Sequence, residues 1–389
     1  MGPRPELLEM AAEMTGWRHD LHQNPELGYE ETRTSKAVAD RLEAWGLEVH
    51  RGIGRTGVVG VLEGELGAGP TIGLRADMDA LPMEEETGAE HRSKNPGVFH
   101  GCGHDGHTTM LLGAARHLAA TRRFAGRVVF VFQPAEEGLA GARAMIEDGL
   151  FERFPCDEVF GMHNWPQLDL GQVAVRTGPM MAASDLVRIE VEGVGAHAAM
   201  PHRGVDPVFV ASQIIGALQS LVSRSTSPTD AAVVSITKVE AGTAANVIPR
   251  TATLTGTCRS FRAETRDRLE AGIQRIAVGV AEALGATARV TYSRGYPPTV
   301  NHPDQTAFAR EVAAGMLGED AVVVDPEPSM GGEDFAFMLE QVPGTYVWLG
   351  TGGEFDLHHP RYDFNDAALP LGASYWVELV ESRLGERTA

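Results

Sequence analysis

One uninterrupted apolar run, RVVFVF at Arg127–Phe132, indicates the fold class of this chain. A run without polar alternation is typical of a strand that is buried on both faces of a sheet. It follows a segment with apolar residues at helical spacing, Met110–Ala120, and two earlier strand-like stretches, Gly57–Glu63 and TIGLRA at Thr71–Ala76. After it, the sequence predicts a helix over Gly138–Gly149 and a short strand over Glu158–Met162. Strands that alternate with helices predict an α/β fold with a mixed, mostly parallel sheet covered by helices.

The stretch from residue 185 to residue 295 has a different pattern. Its predicted order is strand, helix, strand, strand, helix, strand, which is typical of a small α+β ferredoxin-like domain. The segments on either side, 1–184 and 296–389, are predicted to form one α/β domain that this smaller domain interrupts. Such an insertion is structurally simple because the termini of compact domains often lie close together.

Composition and charge exclude several classes of protein. The 389 residues are 43% hydrophobic and 22% charged, as in ordinary globular proteins, which excludes disordered, collagen-like and coiled-coil chains. The formal net charge of −20 would repel phosphate backbones and anionic membrane surfaces. We therefore expect neither nucleic acid nor a membrane as a partner.

The cysteines and the first residues indicate the compartment. Cys102, Cys156 and Cys258 are too few, and odd in number, for a disulfide framework. No apolar run reaches the roughly 18 residues needed to cross a bilayer, and the opening residues, MGPRPE, lack the apolar core of a signal peptide. We expect a cytoplasmic protein.

The densest group of metal-binding residue types is HGCGHDGH at His100–His107, just before a predicted helix. Thiolate and imidazole are preferred ligands of zinc-like ions, and the flanking glycines let Cys102 and His104 point at one centre while the backbone turns sharply. The alternative is a helix that Asp105 caps, with solvated histidines. His107 is assigned no role beyond packing or surface.

Further polar residues follow the predicted strands. Phe132–Gly138 (FQPAEEG), Gly161–Pro166 (GMHNWP) and Arg75–Pro82 (RADMDALP) directly follow or end such strands, and Asp356–Pro360 (DLHHP) lies in a later loop. Each alone is more often a surface turn or a structural histidine. Because parallel strands present their carboxyl ends at one edge of a sheet, we expect these residues to converge.

The convergent residues predict a site with two metal ions. A mixed set of five ligands exceeds what one tetrahedral structural zinc needs, and two ions can share a bridging water that attacks a carbonyl. Glu136 would take the proton from that water as general base, while Asp77 and Asp79 would orient a liganding histidine. The predicted ligands are Cys102, His104, Glu137, His163 and His358, with His359 as the alternative to His358.

The chain resembles the di-metal metallopeptidase and amidohydrolase family that includes hippurate hydrolase, N-acyl-amino-acid amidohydrolases and auxin-conjugate hydrolases. The resemblance runs over essentially the whole chain. Its motifs are RHDLHQNPELGYEE (Arg18–Glu31), RADMDALP, HGCGHDGHT, FQPAEEG, GMHNWP, GVGAHAAMPHRGVDP (Gly193–Pro207), NVIPR (Asn246–Arg250), GGEDFAFM (Gly331–Met338) and LHHPRYDFND (Leu357–Asp366). Asp77 stands where better-known relatives have a liganding histidine, which places the chain on the hippurate-hydrolase branch.

The resemblance implies roles for further residues. Cys102 is implied as a bridging ligand, and His197 as a donor to the oxyanion that reaches across a dimer. Asn246 and Arg259 are implied to contact the substrate, Arg259 at a carboxylate. The segment 185–295 is then a lid or dimerisation domain, and the rest of the chain is the catalytic domain.

The resemblance also implies the reaction, which is hydrolysis of the amide bond of small N-acyl amino acids by a homodimer or homotetramer. Manganese and zinc are the first candidates for the two divalent ions, and cobalt and nickel also suit a mixed N/O/S site. The alternatives are an aminopeptidase or dipeptidase on the same fold and a non-catalytic metal-binding protein.

Overall fold

The computed structural model describes residues 2–385, which divide into two compact units. The first unit runs to Met180 and resumes at Val300–Glu327 and again from Asp334. The second unit comprises Met181–Thr299 and Pro328–Glu333. The second unit thus extends a few residues beyond each end of the predicted 185–295 segment and includes a short piece that the sequence assigned to the other domain.

The strands and helices alternate along most of the chain. The strands are β1 (Glu48–Ile53), β2 (Gly57–Glu63), β3 (Thr71–Asp77), β4 (Arg127–Gln133), β5 (Glu158–Trp165), β6 (Val173–Val175), β7 (Gly178–Met181), β8 (Ala183–Glu192), β9 (Ala196–His197), β10 (Ala232–Ala241), β11 (Val247–Ile248), β12 (Thr251–Ser260), β13 (Thr287–Tyr296), β14 (Thr299–Asn301), β15 (Val322–Val324) and β16 (Gly344–Gly350). The helices are α1 (Pro5–Glu9), α2 (Ala11–Gln23), α3 (Thr32–Ala44), α4 (His104–Thr121), α5 (Glu136–Leu139), α6 (Gly141–Glu147), α7 (Leu150–Arg153), α8 (Pro207–Ser220), α9 (Ala263–Ala283), α10 (Pro303–Leu317), α11 (Ala336–Leu339) and α12 (Leu369–Leu384).

The first unit is built on an eight-stranded sheet in the order β1-β2-β4-β3-β5-β16-β6-β15. Its four central strands, β4, β3, β5 and β16, are parallel neighbours. Their side chains are buried at nearly every position, so both faces of the sheet are covered. α4 packs on β3 and on α12, and these helices share one apolar core with the sheet.

The second unit has the βαββαβ order in β8, α8, β10, β12, α9 and β13. Its antiparallel sheet has the strand order β10-β12-β8-β13. Burial alternates along β8, where Val187, Ile189 and Val191 face a core that includes residues of α8 and α9. This alternation is what a sheet with helices on one face requires.

The predicted fold class is confirmed, with local corrections. The single helix predicted over Gly138–Gly149 is interrupted, because Ala140 takes a left-handed φ of 58° between α5 and α6. The strand predicted to end at Met162 continues to Trp165, so His163 lies inside β5 rather than after it. Within residues 2–385, no helix is both long enough and apolar enough to span a membrane.

Candidate metal centre

The candidate ligands lie at the carboxyl ends of the four central parallel strands. Asp77 pairs with Gln133 across β3 and β4, and His163 pairs with Trp348 across β5 and β16. In this register the turns that follow β3 and β4 open at the same edge of the sheet as the end of β5. The arrangement follows directly from parallel pairing, because every strand then ends on the same side.

A tight turn joins two of the candidate ligands. Gly103 has a left-handed φ of 86° between Cys102 and His104, and His104 begins α4. A Cβ atom at position 103 would lie 2.4 Å from Asn164 Oδ1 and 2.7 Å from Tyr362 Oη. Only glycine fits this turn without strain or displacement, because it has no Cβ.

Asp79 orients two candidate ligands at once. His104 Nδ1 donates a hydrogen bond to the Asp79 carbonyl at 3.0 Å and lies 3.2 Å from its Oδ1, which leaves His104 Nε2 free to bind an ion. The other carboxylate oxygen of Asp79 accepts a hydrogen bond from the Glu137 backbone N–H at 2.9 Å. One carboxylate therefore fixes both the imidazole and the turn that carries Glu137.

The adjacent residues Glu136 and Glu137 have different surroundings. They follow Ala135, whose left-handed φ of 54° turns the chain sharply after β4. Glu137 Oε1 lies 3.9 Å from His104 Nε2, whereas Glu136 Oε1 accepts a hydrogen bond from Asp334 N at 3.4 Å. The side chain of Glu136 is nearly buried.

The backbone fixes the tautomer of His163. His163 Nδ1 donates to the Asn164 carbonyl at 2.7 Å, so Nε2 carries the lone pair. This Nε2 lies 3.4 Å from the Sγ atom of Cys102. The buried imidazole and the buried thiol thus face each other across the candidate centre.

The two adjacent histidines after β16 differ in their contacts. His358 Nε2 lies 3.4 Å from Glu137 Oε1, and the residue has a left-handed φ of 64°. His359 stacks on Phe355 with 4.5 Å between ring centroids and accepts a hydrogen bond from Arg361 N through Nδ1. Of the two alternatives, His358 faces the other candidate ligands.

The ligand atoms form two overlapping groups that share Cys102. One group comprises Cys102, His104 and His163, and the other comprises Cys102, Glu137 and His358; within each group the atoms lie within 4.8 Å of one another. Among the described residues, His104 Nε2 and Glu137 Oε1 are buried without a hydrogen-bond partner. A pair of divalent ions fits these atoms, since buried polar atoms otherwise require hydrogen bonds.

Burial and neighbouring charges shift the pKa values of this cluster. Burial, followed by the charges of Glu137 and Glu136, raises the pKa of the Cys102 thiol well above its usual range. Burial alone would lower the pKa of His104, but Asp77 and Asp79 outweigh it and raise this pKa to about 10. The cluster is rich in negative charge, which favours bound cations.

His107 is part of this region, although the sequence assigned it only packing. It is buried three residues after His104 on α4; its Nδ1 donates to Asp77 Oδ1 at 2.6 Å and its Nε2 accepts from Asn164 N at 2.9 Å. Asp77 also accepts from Arg75 Nη1 at 2.9 Å. The i, i+3 spacing of His104 and His107 was a usable signal, because it places both on one face of the helix.

The predicted substrate-binding residues lie in the second unit. His197 is exposed on β9 and pairs with Val247 of β11, and the Asn246 carbonyl accepts from Ala198 N at 3.0 Å. His197 and Asn246 are therefore close in that unit. Arg259, on β12, is partly buried, and its Nε donates to the Met330 carbonyl at 3.2 Å.

The fold and the residues at the sheet edge define a hydrolase of the di-metal peptidase class. Residues 73–382 match Peptidase family M20/M25/M40. The chain belongs to this family. The resemblance found in the motifs is thereby confirmed, and the chain is an enzyme of this hydrolase family.

Individual relatives match over almost their whole length. Hippurate hydrolase of Campylobacter jejuni is 45% identical over 375 residues, which cover 96% of this chain and 97% of the relative. N-acetyl-L-cysteine deacetylase of Bacillus subtilis is 41% identical, covering 97% and 89% respectively. The crystal structure of a dinuclear metal-binding peptidase of this family from Bacillus subtilis matches with a TM-score of 0.85 and 38% identity, covering 97% and 99%.

Proposed function

We propose that this protein hydrolyses the amide bond of N-acyl amino acids in a metal-dependent reaction that releases a carboxylic acid and an amino acid. The observation that carries the proposal is the pair of ligand groups sharing Cys102 beside the nearly buried Glu136. Hippurate and N-acetyl-L-cysteine, named for two relatives above 40% identity, are both N-acyl amino acids. This likeness favours an acylated substrate over a free peptide.

Cys102, His104, Glu137, His163 and His358 are proposed to hold two divalent ions. When bound, such ions supply Lewis-acid activation of a water molecule and of the amide carbonyl. The mixed sulfur, nitrogen and oxygen donors suit manganese or zinc, and also cobalt or nickel. Asp79 orients His104 and the Glu137 turn through its hydrogen bonds. Asp77, whose Oδ2 lies 3.6 Å from His104 Nε2, is itself held by hydrogen bonds from His107 and Arg75.

Glu136 is proposed as the general base. It takes a proton from the attacking water and delivers that proton to the leaving nitrogen as the C–N bond breaks, so it returns to its starting charge. The hydrogen bond from Asp334 N holds one carboxylate oxygen at 3.4 Å.

Residues of the second unit are proposed to bind the substrate. His197 is exposed in its own unit, which suits a side chain that donates to the oxyanion from the partner subunit of a homodimer or homotetramer. Arg259 is proposed to bind the substrate carboxylate, and Asn246, next to His197, to contact the same substrate.

The test is amine release from a panel of hippurate, N-acetyl-L-cysteine and other N-acyl amino acids. Metal-depleted protein is assayed with and without added Mn²⁺ or Zn²⁺, and free dipeptides are included as substrates. We expect release that depends on the metal and is absent with dipeptides. Release that persists after chelation contradicts the proposal, and cleavage of dipeptides alone supports a peptidase instead.

A further inference from the structure

Arg18, on α2, is a fully buried cation that the proposed ligand set does not use. Its Nη1 lies 3.3 Å from Asp105 Oδ2 and 3.2 Å from Asp363 Oδ1, and its Nε lies 2.6 Å from Asp366 Oδ1. Asp105 directly follows His104 on α4. One guanidinium thus joins the start of α4 to two carboxylates further along the chain.

Those two carboxylates belong to the ligand loop, which we define as residues 351–365 together with Asp366. The loop follows β16 and contains no strand or helix over residues 351–365, yet it carries His358. The His358 side chain is 53% exposed, so packing does little to hold it. A ligand on such a segment binds well only if other contacts fix the backbone.

Several contacts anchor the loop, among them the hydrogen bond that Glu86 N donates to the Pro360 carbonyl at 2.7 Å. His358 N donates to the Gly101 carbonyl at 2.8 Å, next to Cys102. Asn164 Nδ2 donates to Tyr362 Oη at 2.7 Å. Asp363 and Asp366 add charged anchors: both pair with Arg18, and they also lie 3.0 Å from His91 Nε2 and 2.8 Å from His19 Nε2, respectively.

Arg18 is linked to the other ligand group only through Asp105, beside His104, and Asp105 Oδ2 is also held by His22 Nδ1 at 2.7 Å. Asp79 fixes His104 and the turn at Glu137, and His163 lies inside β5 with its Nδ1 bonded to the backbone. Arg18 therefore contacts the loop that completes one ligand group, Cys102–Glu137–His358. It has no comparable link to His163.

Two histidines complete the surroundings of the guanidinium. Nη2 lies 3.0 Å from His91 Nε2, and Nη1 lies 3.4 Å from His22 Nδ1. His22, His91 and Asp363 have ligand atoms within 4.8 Å of one another, a spacing that would suit a metal ion. Arg18 already places its charge among them, so this cluster is an internal ion network.

We infer that Arg18 is a positioning residue for the metal ion that His358 helps to bind, and that it has little effect on the ion bound by Cys102, His104 and His163. The inference rests on the proposed ligand set. The polar contacts of Arg18 are with Asp105, Asp363, Asp366, His22 and His91, none of which is a proposed ligand. Its planar fork spans several carboxylates at once, which a lysine ammonium cannot do.

The experiment is a stepwise titration of the metal-depleted full-length protein with Mn²⁺. Binding is measured by calorimetry, and the metal content is determined after gel filtration. The variants are Arg18→Lys and the loop-side double substitution Asp363→Asn with Asp366→Asn. Arg4→Met is the matched control, since Arg4 also lies between two carboxylates, Glu378 and Glu381. His358→Ala reports the loss of the ligand itself.

We expect the wild type and Arg4→Met to bind two equivalents. In the Arg18 and loop-side variants one equivalent should weaken by about 10- to 100-fold, as for other residues that orient ligands, and the other should be unchanged. Equal weakening of both equivalents, or of neither, overturns the inference. If Arg18→Lys does not fold, the loop-side double substitution provides the test of the inference.

The outcomes distinguish a failure of this inference from a failure of the proposed function. A wild type that binds fewer than two ions, or a His358→Ala variant that keeps both, contradicts the ligand set and with it the role of Arg18. If His358→Ala loses one ion while the loop-side variant keeps both at full affinity, the ligand set stands and only the role of Arg18 is wrong.

Discussion

His358 Nε2 lies 3.4 Å from Glu137 Oε1, so the loop after β16 meets the turn after β4 at this pair of side chains. The adjacent His359 stacks on Phe355 instead. Two chemically identical neighbours in the sequence thus have different surroundings. The left-handed backbone at His358 separates the directions of the two side chains.

This difference yields a matched pair of substitutions. His358→Ala is expected to lose one of two bound divalent ions and about 10²-fold or more in turnover, because a ligand is removed. His359→Ala should keep both ions and nearly normal turnover. Metal content and kcat of the two variants provide the check, and a reversal of the two results would assign the ligand role to His359.

Glu136→Gln is expected to keep both ions and lose about 10² to 10⁴-fold in kcat, the range typical of general acid–base catalysis. The amide has nearly the shape of the carboxylate but accepts no proton at neutral pH. Metal content measured on the same sample separates this effect from ligand loss. Glu137→Gln is the comparison variant, in which metal content should fall as well. Turnover near the wild-type value in Glu136→Gln would remove this residue from the mechanism.

Much of this centre follows from parallel strand pairing, which local sequence patterns predict. The apolar runs at β3 and β4 and the motifs that follow them place Asp79, Glu136 and Glu137 at one sheet edge, as the structure has them. The apolar run of β2 is equally clear, and its predicted bounds, Gly57–Glu63, are those of the structure. Such strands can be recognised in the sequence because burial on both faces leaves few polar positions.

Other features depend on contacts that local patterns do not encode. Ala135 and Ala140 adopt left-handed φ values although neither is glycine, so local propensity does not place the breaks at these two residues. Arg18 meets Asp363 across 345 positions of the chain. The sequence around either residue does not predict this ion pair, because only the assembled fold brings α2 to the ligand loop.

Gly103→Ala tests the turn between Cys102 and His104. The new Cβ would meet Asn164 Oδ1 at 2.4 Å, and the left-handed backbone adds strain of about 1 to 3 kcal/mol. We expect lower affinity for both ions together with reduced stability. The measurements are metal titration and urea unfolding.

Gly149→Ala is the matched control for that substitution. Gly149 has nearly the same left-handed φ, 87°, but its added Cβ would meet nothing closer than 3.5 Å. The control should lose stability and keep its metal affinity. If both variants lose metal affinity equally, the effect comes from general destabilisation and not from the geometry of this turn.

The last prediction concerns pH and the buried His22. Its Nδ1 lies 2.7 Å from Asp105 Oδ2, its Nε2 lies 3.4 Å from Glu85 Oε1, and Arg18 is on the same side as Asp105. The rings of His91 and His100 lie 5.2 and 6.2 Å away. Burial and Arg18 lower the pKa of His22, but Asp105 and Glu85 outweigh them and raise it to about 9.

A histidine whose pKa is raised in the folded state contributes stability below its unfolded pKa of about 6.5 and loses that contribution as pH rises through about 9. The free energy of unfolding of the wild type should therefore fall by roughly 3 kcal/mol between pH 6 and pH 9.5 relative to His22→Gln, which has no proton to lose there. Urea unfolding of both proteins across this range is the measurement. His50→Gln, at a partly buried histidine that pairs with Glu48, is the control and should follow the wild type. Parallel curves for the wild type and His22→Gln would show that His22 is not protonated in the folded protein, because only a bound proton that is lost on unfolding makes the two curves diverge.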